Sequence, residues 1–399
     1  MADRKHPANE LPSDKDVTVA YLDKALDKTT NSYKFLLLKT ILQCMEDYRG
    51  QGHLAISFDL IRRGKLANSW FPSLQFRLNF GKQDQIEKAL RKVETIVPAD
   101  AYTSIEQVNR ALEEEASALS KVKAVQDLTE YSIGRLIRRA FDQEVAELKQ
   151  ELKQKGVKPS DYDYQIKIKI PGWSRKRFEG DDPPIYRIED KAEIVIHERW
   201  CRYLSKNLKI INGWLDNQWM QTLARKNPNV PGLAHKLWEL PNDRDSLRKQ
   251  RDGWEEYLRN HALDCIYSQP VSRIDNAEFA LDHFLPRSWV GHDQMWNLIP
   301  IAPKTNSRKK HFLPARDEIE KLASAHFDLL DFAFNNEFPH RSNMLDDYRF
   351  GLHVKDAVLK DREKLHEAYL GTIEPLLLLA HRQGFRYWPE EDRILRNGN

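Results

Sequence analysis

Apolar residues recur at three- and four-residue spacing along much of this chain, and that period constrains it to fold mainly as helices. The side chains of Asn31 or Ser32, of Asp84, and of Ser104, which Gln107 follows three residues later, are expected to cap helix starts. The predicted helices cover about 32–45, 84–93, 104–119, 131–154, 191–225, 317–335 and 354–381.

Two short segments alternate apolar and polar residues, which is the pattern of half-buried strands. The first covers residues 74–80. The second covers residues 162–170, ends at Pro171, and would pair with a strand at 186–188. We therefore predict a small hairpin near residues 162–188.

The sequence also excludes several classes of protein. Its apolar runs fall far short of the roughly 18 residues that a membrane span needs, and the polar N-terminus lacks the apolar centre of a signal peptide. The 3 cysteines are widely spaced, unlike those of a disulfide framework or a zinc knuckle. We therefore expect a cytoplasmic protein that makes no membrane contact.

One stretch carries most of the chemistry. Residues 279–284 are apolar enough for a buried strand, 286–294 are rich in turn formers, 295–301 form a second strand pattern, and Pro303 marks the approach to a helix. The expected order is strand, loop, strand, helix. On that helix Asn306, Lys309 and Lys310 are spaced to share one face.

The side chains of this stretch suit phosphodiester hydrolysis. Asp282 offers an anionic oxygen and Asn306 a neutral one, a pair that suits Mg²⁺, with Mn²⁺ as the alternative. His283 can accept a proton from an attacking water at neutral pH. Arg308 and Lys309 can hold phosphate groups or offset developing charge.

Local charge favours a polyanionic substrate. The chain as a whole carries a net charge of only +3, so any attraction must come from clustering. Between residues 282 and 316 basic side chains outnumber acidic ones. The residues expected to contact nucleic acid are Arg287, Lys304, Arg308, Lys309 and Lys310.

These segments resemble the HNH nuclease family in its Asp-His, Asn, Asn variant. The spacing of His283, Asn297 and Asn306, together with the lead-in Cys265-Ile-Tyr-Ser, is similar to the HNH domain of RNA-guided CRISPR nucleases. The resemblance implies Asp282 and Asn306 as metal ligands, His283 as general base, and Asn297 as the brace of the loop. It also implies products with 5′-phosphate and 3′-hydroxyl ends.

We expect a mainly α protein with small β elements, in which a helical body encloses a ββα-metal HNH module. The expected divisions are a flexible leader at 1–17, a mainly helical region at 18–255, the module at 256–316 and a helical C-terminal region at 317–399. Paired zinc-binding cysteines are missing from the module, so packing around Trp289 and Trp296 must hold it.

A wider set of segments, such as Asn31-Ser-Tyr-Lys-Phe and Asn227-Pro-Asn-Val-Pro, resembles uncharacterised bacterial HNH proteins. This favours an endonuclease that nicks or cuts foreign or phage DNA in antiviral defence, with a defence-system protein or a second copy of the chain as partner. Two other functions stay open. The chain could be a non-catalytic DNA-binding or assembly subunit, or an RNA-cleaving toxin.

Several polar groups have two interpretations. His292 with Asp293 could bind a second metal or brace the loop, and His311 could replace Asn306 as a ligand. The basic runs at 135–139 and 174–177 could contact DNA phosphates or lie on a solvated surface.

Overall fold

The computed structural model describes residues 11–388, apart from positions 28, 30, 82–83, 131, 191, 239–245, 268–272 and 275–277 and the side chains of Asp100 and Trp238. The chain divides into two compact units, the first ending at Pro228 and the second beginning at Asn229. Helices dominate both units, and the strands form small antiparallel sheets. The predicted fold class, mainly α with small β elements, is confirmed.

Helices form most of the first unit. They are α1 Ala20–Asp23, α2 Tyr33–Asp47, α3 Phe58–Trp70, α4 Gln85–Val93, α5 Ile105–Glu114, α6 Ala116–Leu119, α7 Lys123–Glu130, α8 Ser132–Ile137, α9 Asp142–Gln154, α10 Tyr162–Phe178, α11 Glu198–Lys206 and α12 Leu208–Ala224. The predicted stripe of α2 is buried. Asp84 and Ser104 cap α4 and α5 as expected, whereas the side chain of Ser32 does not cap α2.

A three-stranded antiparallel sheet completes this unit. It consists of β1 Leu54–Ser57, β2 Tyr186–Glu189 and β3 Glu193–Ile196, in the order β1-β3-β2. Ile194 lies at the centre, opposite Ile56 of β1 and Ile188 of β2. These three side chains are buried, so the sheet lies against the helical core.

The strand predicted at 162–170 is wrong, because these residues form the first half of helix α10. Ile166 and Ile170 lie one helical turn apart and are buried, while Tyr164 and Ile168 stay exposed. The alternating pattern thus contains a helical stripe with two extra apolar residues on the solvent side. The hairpin lies later in the chain, between β2 and β3.

The strand predicted at 74–80 is also wrong. A π-helical turn, Phe71–Gln75, extends α3, and the following backbone bonds to side chains instead of to a strand. The amide of Asn79 donates to Asn227 Oδ1 at 2.8 Å, and the amide of Phe80 donates to Glu87 Oε1 at 3.0 Å. Arg77 takes a positive φ of 54°, which no regular strand contains.

Several predicted helices are interrupted. The one expected at 104–119 is divided into α5 and α6 at Glu115, and the one expected at 354–381 is divided at residues 360–361. The helix expected at 131–154 is divided into α8 and α9 by the 3₁₀ turn Arg138–Phe141. The helical pattern expected at 191–225 begins instead with strand β3 and continues as α11 and α12.

The second unit mixes helices with very short strands. Its elements are α13 Leu233–Trp238, α14 Arg248–Leu258, β4 Leu263–Asp264, β5 Arg273–Ile274, β6 Ala280–His283, α15 Arg287–Val290, β7 Leu298–Ile301, α16 Pro303–Lys309, α17 Glu318–Asn335, α18 Arg341–Gly351, α19 Asp356–Leu359 and α20 Arg362–Arg382. The pairs β4-β5 and β6-β7 form separate antiparallel ribbons.

One hydrophobic core joins the β6-β7 ribbon to the C-terminal helices. Trp289 and Trp296 are buried in it. Trp254 on α14 donates its indole N–H to the carbonyl of Leu298 at 3.1 Å, and Tyr369 on α20 donates its hydroxyl to the carbonyl of Trp296 at 3.1 Å. Packing and these hydrogen bonds therefore fix the ribbon.

None of the helices among the described residues is both long enough and apolar enough to cross a membrane.

Candidate active site

The chemistry-bearing stretch folds in the predicted order of strand, loop, strand and helix. Strand β6 ends in Asp282 and His283, which lie opposite Ile299 and Leu298 of β7. Helix α16 begins directly after Ala302 and packs against β6. Residues that are 24 positions apart, such as Asp282 and Asn306, are thereby placed on neighbouring elements.

Asn297 holds the ends of the loop together. Its fully buried side chain accepts from the amide of Leu285 at 2.8 Å and donates to the carbonyl of the same residue at 2.9 Å. The backbone carbonyl of Asn297 also accepts from the amide of Phe284 at 2.8 Å. An amide side chain offers the donor and the acceptor that this pairing needs, whereas a carboxylate would lack the donor.

The carboxylate of Asp282 is buried and receives hydrogen bonds from two side chains. The hydroxyl of Tyr267 donates to Oδ2 at 2.9 Å. The ammonium of Lys309 lies 2.9 Å from Oδ2 and 3.2 Å from Oδ1. Burial raises the pKa of Tyr267 well above its ordinary value and the charge of Asp282 adds to the shift, so Tyr267 remains a donor.

Lys309 belongs to the interior of the site. Its side chain has 0% exposure, and Nζ also donates to the carbonyl of His283 at 2.7 Å. The expectation that Lys309 contacts nucleic acid is therefore corrected, because its ammonium is already enclosed by protein oxygens.

Lys310 does not lie on the same helix face as Asn306 and Lys309, which corrects a second expectation. Helix α16 ends at Lys309, and Lys310 follows with a φ of 46° and an exposed side chain.

His283 is oriented by an acidic residue from the loop. Its Nε2 lies 2.7 Å from Oδ1 of Asp293. Nε of Arg287 donates to the same carboxylate, at 2.9 Å to Oδ1 and 3.2 Å to Oδ2. Burial alone would raise the pKa of Asp293, but the hydrogen bonds and charges of His283 and Arg287 together leave it below its ordinary value. Asp293 therefore stays ionised and fixes the imidazole ring.

The same contacts favour the interpretation of Asp293 as a brace of the loop. His292, its partner in the possible second metal pair, is partly buried. Burial, followed by the charge of His283, lowers the pKa of His292 to about 4, so its ring is neutral at pH 7. Arg287 is engaged by Asp293 and only 13% exposed, which corrects the expectation that it grips nucleic acid.

Asp282 and Asn306 carry the oxygen donors that a hard divalent cation prefers. A carboxylate offers about four lone-pair positions, and among the described residues Oδ1 of Asp282 receives the longer of the two contacts from Lys309, at 3.2 Å. Asn306 is partly buried, and within the described residues no hydrogen bond occupies its side-chain amide. Mg²⁺ commonly takes few protein oxygens and fills its shell with water and phosphate. His311, the alternative ligand, is exposed beyond the end of α16.

A larger metal cluster is not formed by the part of the chain that the structure describes. No group of three or more His, Cys, Asp or Glu side chains lies there in a position to hold an ion. Any metal at this site would therefore rest on the carboxylate and amide pair.

Two contacts of the site are not predicted from the sequence. Tyr267 lies within the Cys265-Ile-Tyr-Ser lead-in, which is a usable signal, but the pattern assigns no role to its hydroxyl. Asp293 is expected as a possible brace of the loop, yet no local pattern indicates that the loop returns it to His283, 10 positions earlier in the chain.

Comparison with known proteins matches residues 265–315 to the model of the HNH endonuclease family. The match includes β5, β6, β7 and α16, and hence every residue of the site described above. Searches of curated proteins and of solved structures give no match.

The buried ion pair generates a prediction about stability. Lys309→Met leaves the carboxylate of Asp282 buried without its counter-charge, so we expect the free energy of unfolding to fall by about 3–5 kcal/mol. The control is Lys304→Met, an exposed lysine of the same helix, which we expect to change it by less than about 0.5 kcal/mol. Urea denaturation measures both, and equal midpoints for the two variants would contradict the assignment of Lys309 to the interior.

Proposed function

We propose that this chain, which carries an HNH endonuclease domain at residues 265–315, is a divalent-metal-dependent endonuclease that cleaves DNA. The match to this family supports a nuclease whose substrate is a nucleic acid. The observation that carries the finer proposal is the placement of Asp282 and an oriented His283 at the end of β6, with α16, the helix of Asn306, packed against that strand.

His283 would act as general base. With Nε2 donating to Asp293 at 2.7 Å, Nδ1 is left as the nitrogen that accepts a proton from water. Arg287 donates to the same carboxylate, at 2.9 Å to Oδ1, and so holds Asp293 where it accepts from the imidazole. Such general-base catalysis is typically worth about 10²–10⁴-fold in rate.

Asp282 and Asn306 would hold Mg²⁺, or Mn²⁺ in its place. When bound, the cation would polarise the scissile phosphate and offset charge on the leaving oxygen. The chain itself supplies the anchored carboxylate, because Tyr267 and Lys309 keep Asp282 in one orientation. Preorganisation of this kind avoids rearrangement during the reaction.

Exposed basic residues of α16 and its end would contact the phosphate backbone. Lys304, Arg308 and Lys310 are exposed, in contrast to Arg287 and Lys309. Phosphate contacts position a nucleic acid without reading its sequence. The products would carry 5′-phosphate and 3′-hydroxyl ends, and a single site of this kind would cut one strand in each event.

The proposal extends to antiviral defence. The similarity of several segments to bacterial HNH proteins supports foreign or phage DNA as the target. A protein partner or a second copy of the chain would then direct the enzyme to it.

We expect the purified protein to convert supercoiled plasmid to the nicked form with Mg²⁺ or Mn²⁺, and not with EDTA. His283→Ala should reduce the nicking rate by about 10²–10⁴-fold, because it removes the general base. His311→Ala, an exposed histidine close in sequence, should retain the wild-type rate.

The same experiment separates the other functions. Cleavage of single-stranded RNA with DNA left intact would favour an RNA-cleaving toxin, and binding of DNA without any cleavage would favour a non-catalytic subunit.

The defence role predicts a result in cells challenged with phage. Wild-type protein should reduce plaque counts and His283→Ala should not; equal counts would contradict the defence role.

Asp293→Asn should slow nicking at least about tenfold while leaving His283 in place, because the amide cannot hold the imidazolium as the carboxylate does. The loss should stay smaller than that of His283→Ala, which abolishes the base itself. Initial nicking rates measured at saturating Mg²⁺ compare the two variants. A wild-type rate for Asp293→Asn would show that Asp293 has no positioning role.

A further inference from the structure

A second candidate site lies in the first unit, where the interrupted helix creates a basic pocket. The 3₁₀ turn Arg138–Phe141 separates α8 from α9, and the two helices line a cavity of about 400 Å³ together with the start of α2. Its charged lining residues are Lys34, Arg135, Arg138, Arg139, Lys149 and Asp142. A continuous helix at 131–154 would not have formed this concave surface.

The cations of this pocket are close enough to repel one another. Lys34 is partly buried, and its Nζ donates to the carbonyl of Ala25 at 2.7 Å. Burial, followed by the charges of Arg139, Arg135 and Arg138, lowers the pKa of Lys34 to about 8. Crowding of like charges destabilises the pocket, and a bound anion would relieve that cost.

The acidic neighbours offset little of this charge. Arg138 lies 3.0 Å from Asp163, whose side chain is 62% exposed, and Arg139 lies 3.6 Å from Asp142, whose side chain is 57% exposed. Ion pairs this exposed contribute about 0–1 kcal/mol, so an incoming anion can displace them at low cost. Asp142 is also the acidic residue within the lining itself.

We propose that this pocket binds a small anion that carries a chain of phosphate groups, either an inorganic polyphosphate or the triphosphate of a nucleotide. Five basic side chains and one acidic side chain line it, an excess that a single phosphate cannot neutralise. Arginine forks match phosphate oxygens in geometry as well as charge. The volume of about 400 Å³ lies within the range of ligand pockets in proteins.

The shape of the site favours a compact ligand over a nucleic acid strand. The cations surround a concavity instead of following a line, and Val145 and Ala146 of α9 contribute an apolar wall. A groove for single-stranded nucleic acid would combine basic residues with aromatic side chains on which bases stack. Aromatic residues are not part of the lining described for this pocket. The proposal does not depend on the nuclease assignment.

Calorimetric titration of the full chain tests the proposal, with tripolyphosphate and ATP as separate probes, in EDTA and about 150 mM NaCl to screen weak surface binding. We expect saturable binding with one molecule per chain. Equal affinity for the two probes would identify the phosphate chain as the ligand, and tighter binding of ATP would identify a nucleotide.

Three variants make the test specific. Lys149→Gln should weaken binding by roughly tenfold, because it removes a cation of the lining. Lys209→Gln, an exposed helical lysine outside the lining, should leave the affinity unchanged. Asp142→Asn should tighten binding several-fold, a gain that a damaged fold would not produce.

Three results would overturn the proposal. They are the absence of saturable binding of both probes, equal affinities for the wild type and Lys149→Gln, and binding of a short single-stranded oligonucleotide in place of tripolyphosphate. The last outcome would identify the basic turn as a nucleic acid contact.

Discussion

The geometry of the nuclease site depends on one buried ion pair, between Lys309 on α16 and Asp282 on β6. Its two groups lie 2.9 Å apart at 0% and 4% side-chain exposure, so neither charge can be left alone in the interior. The pair fixes the helix against the strand, and Lys309 also bonds the carbonyl of His283. Asn306 lies three positions earlier on the same helix, which packs against β6.

The loop between the strands supplies the second constraint. Asn297 joins its two ends by hydrogen bonds to Leu285, which leaves the intervening residues free to form a turn. That turn returns Asp293 to His283 and pairs it with Arg287. The site therefore has two separately anchored halves. One half orients a carboxylate, and the other orients an imidazole.

Sequence patterns predicted the elements around the site better than the surrounding fold. The strand, loop, strand and helix expected there form in that order, so Asp282, His283, Asn297 and Asn306 lie on or beside neighbouring elements. The prediction of a strand at 162–170 failed because residues that alternate between apolar and polar also place apolar side chains four positions apart, as a helix requires. Tertiary packing selected the helix. The partners of Asp282 and His283 depend on loop closure and burial, which the sequence does not display. For that reason Lys309 and Arg287 were expected on the surface, whereas both face carboxylates of the site.

We propose that Asp282 and Asn306 together form a cation site, and a metal-binding measurement tests this site independently of catalysis. Free Mn²⁺ followed by electron paramagnetic resonance during titration of the protein gives the number of sites and their affinity. We predict one site in the wild type, at least about tenfold weaker in Asn306→Ala because a ligand is lost. It should be unchanged in Asn343→Ala, an exposed asparagine of the same unit. Equal affinity in the wild type and Asn306→Ala would contradict the account.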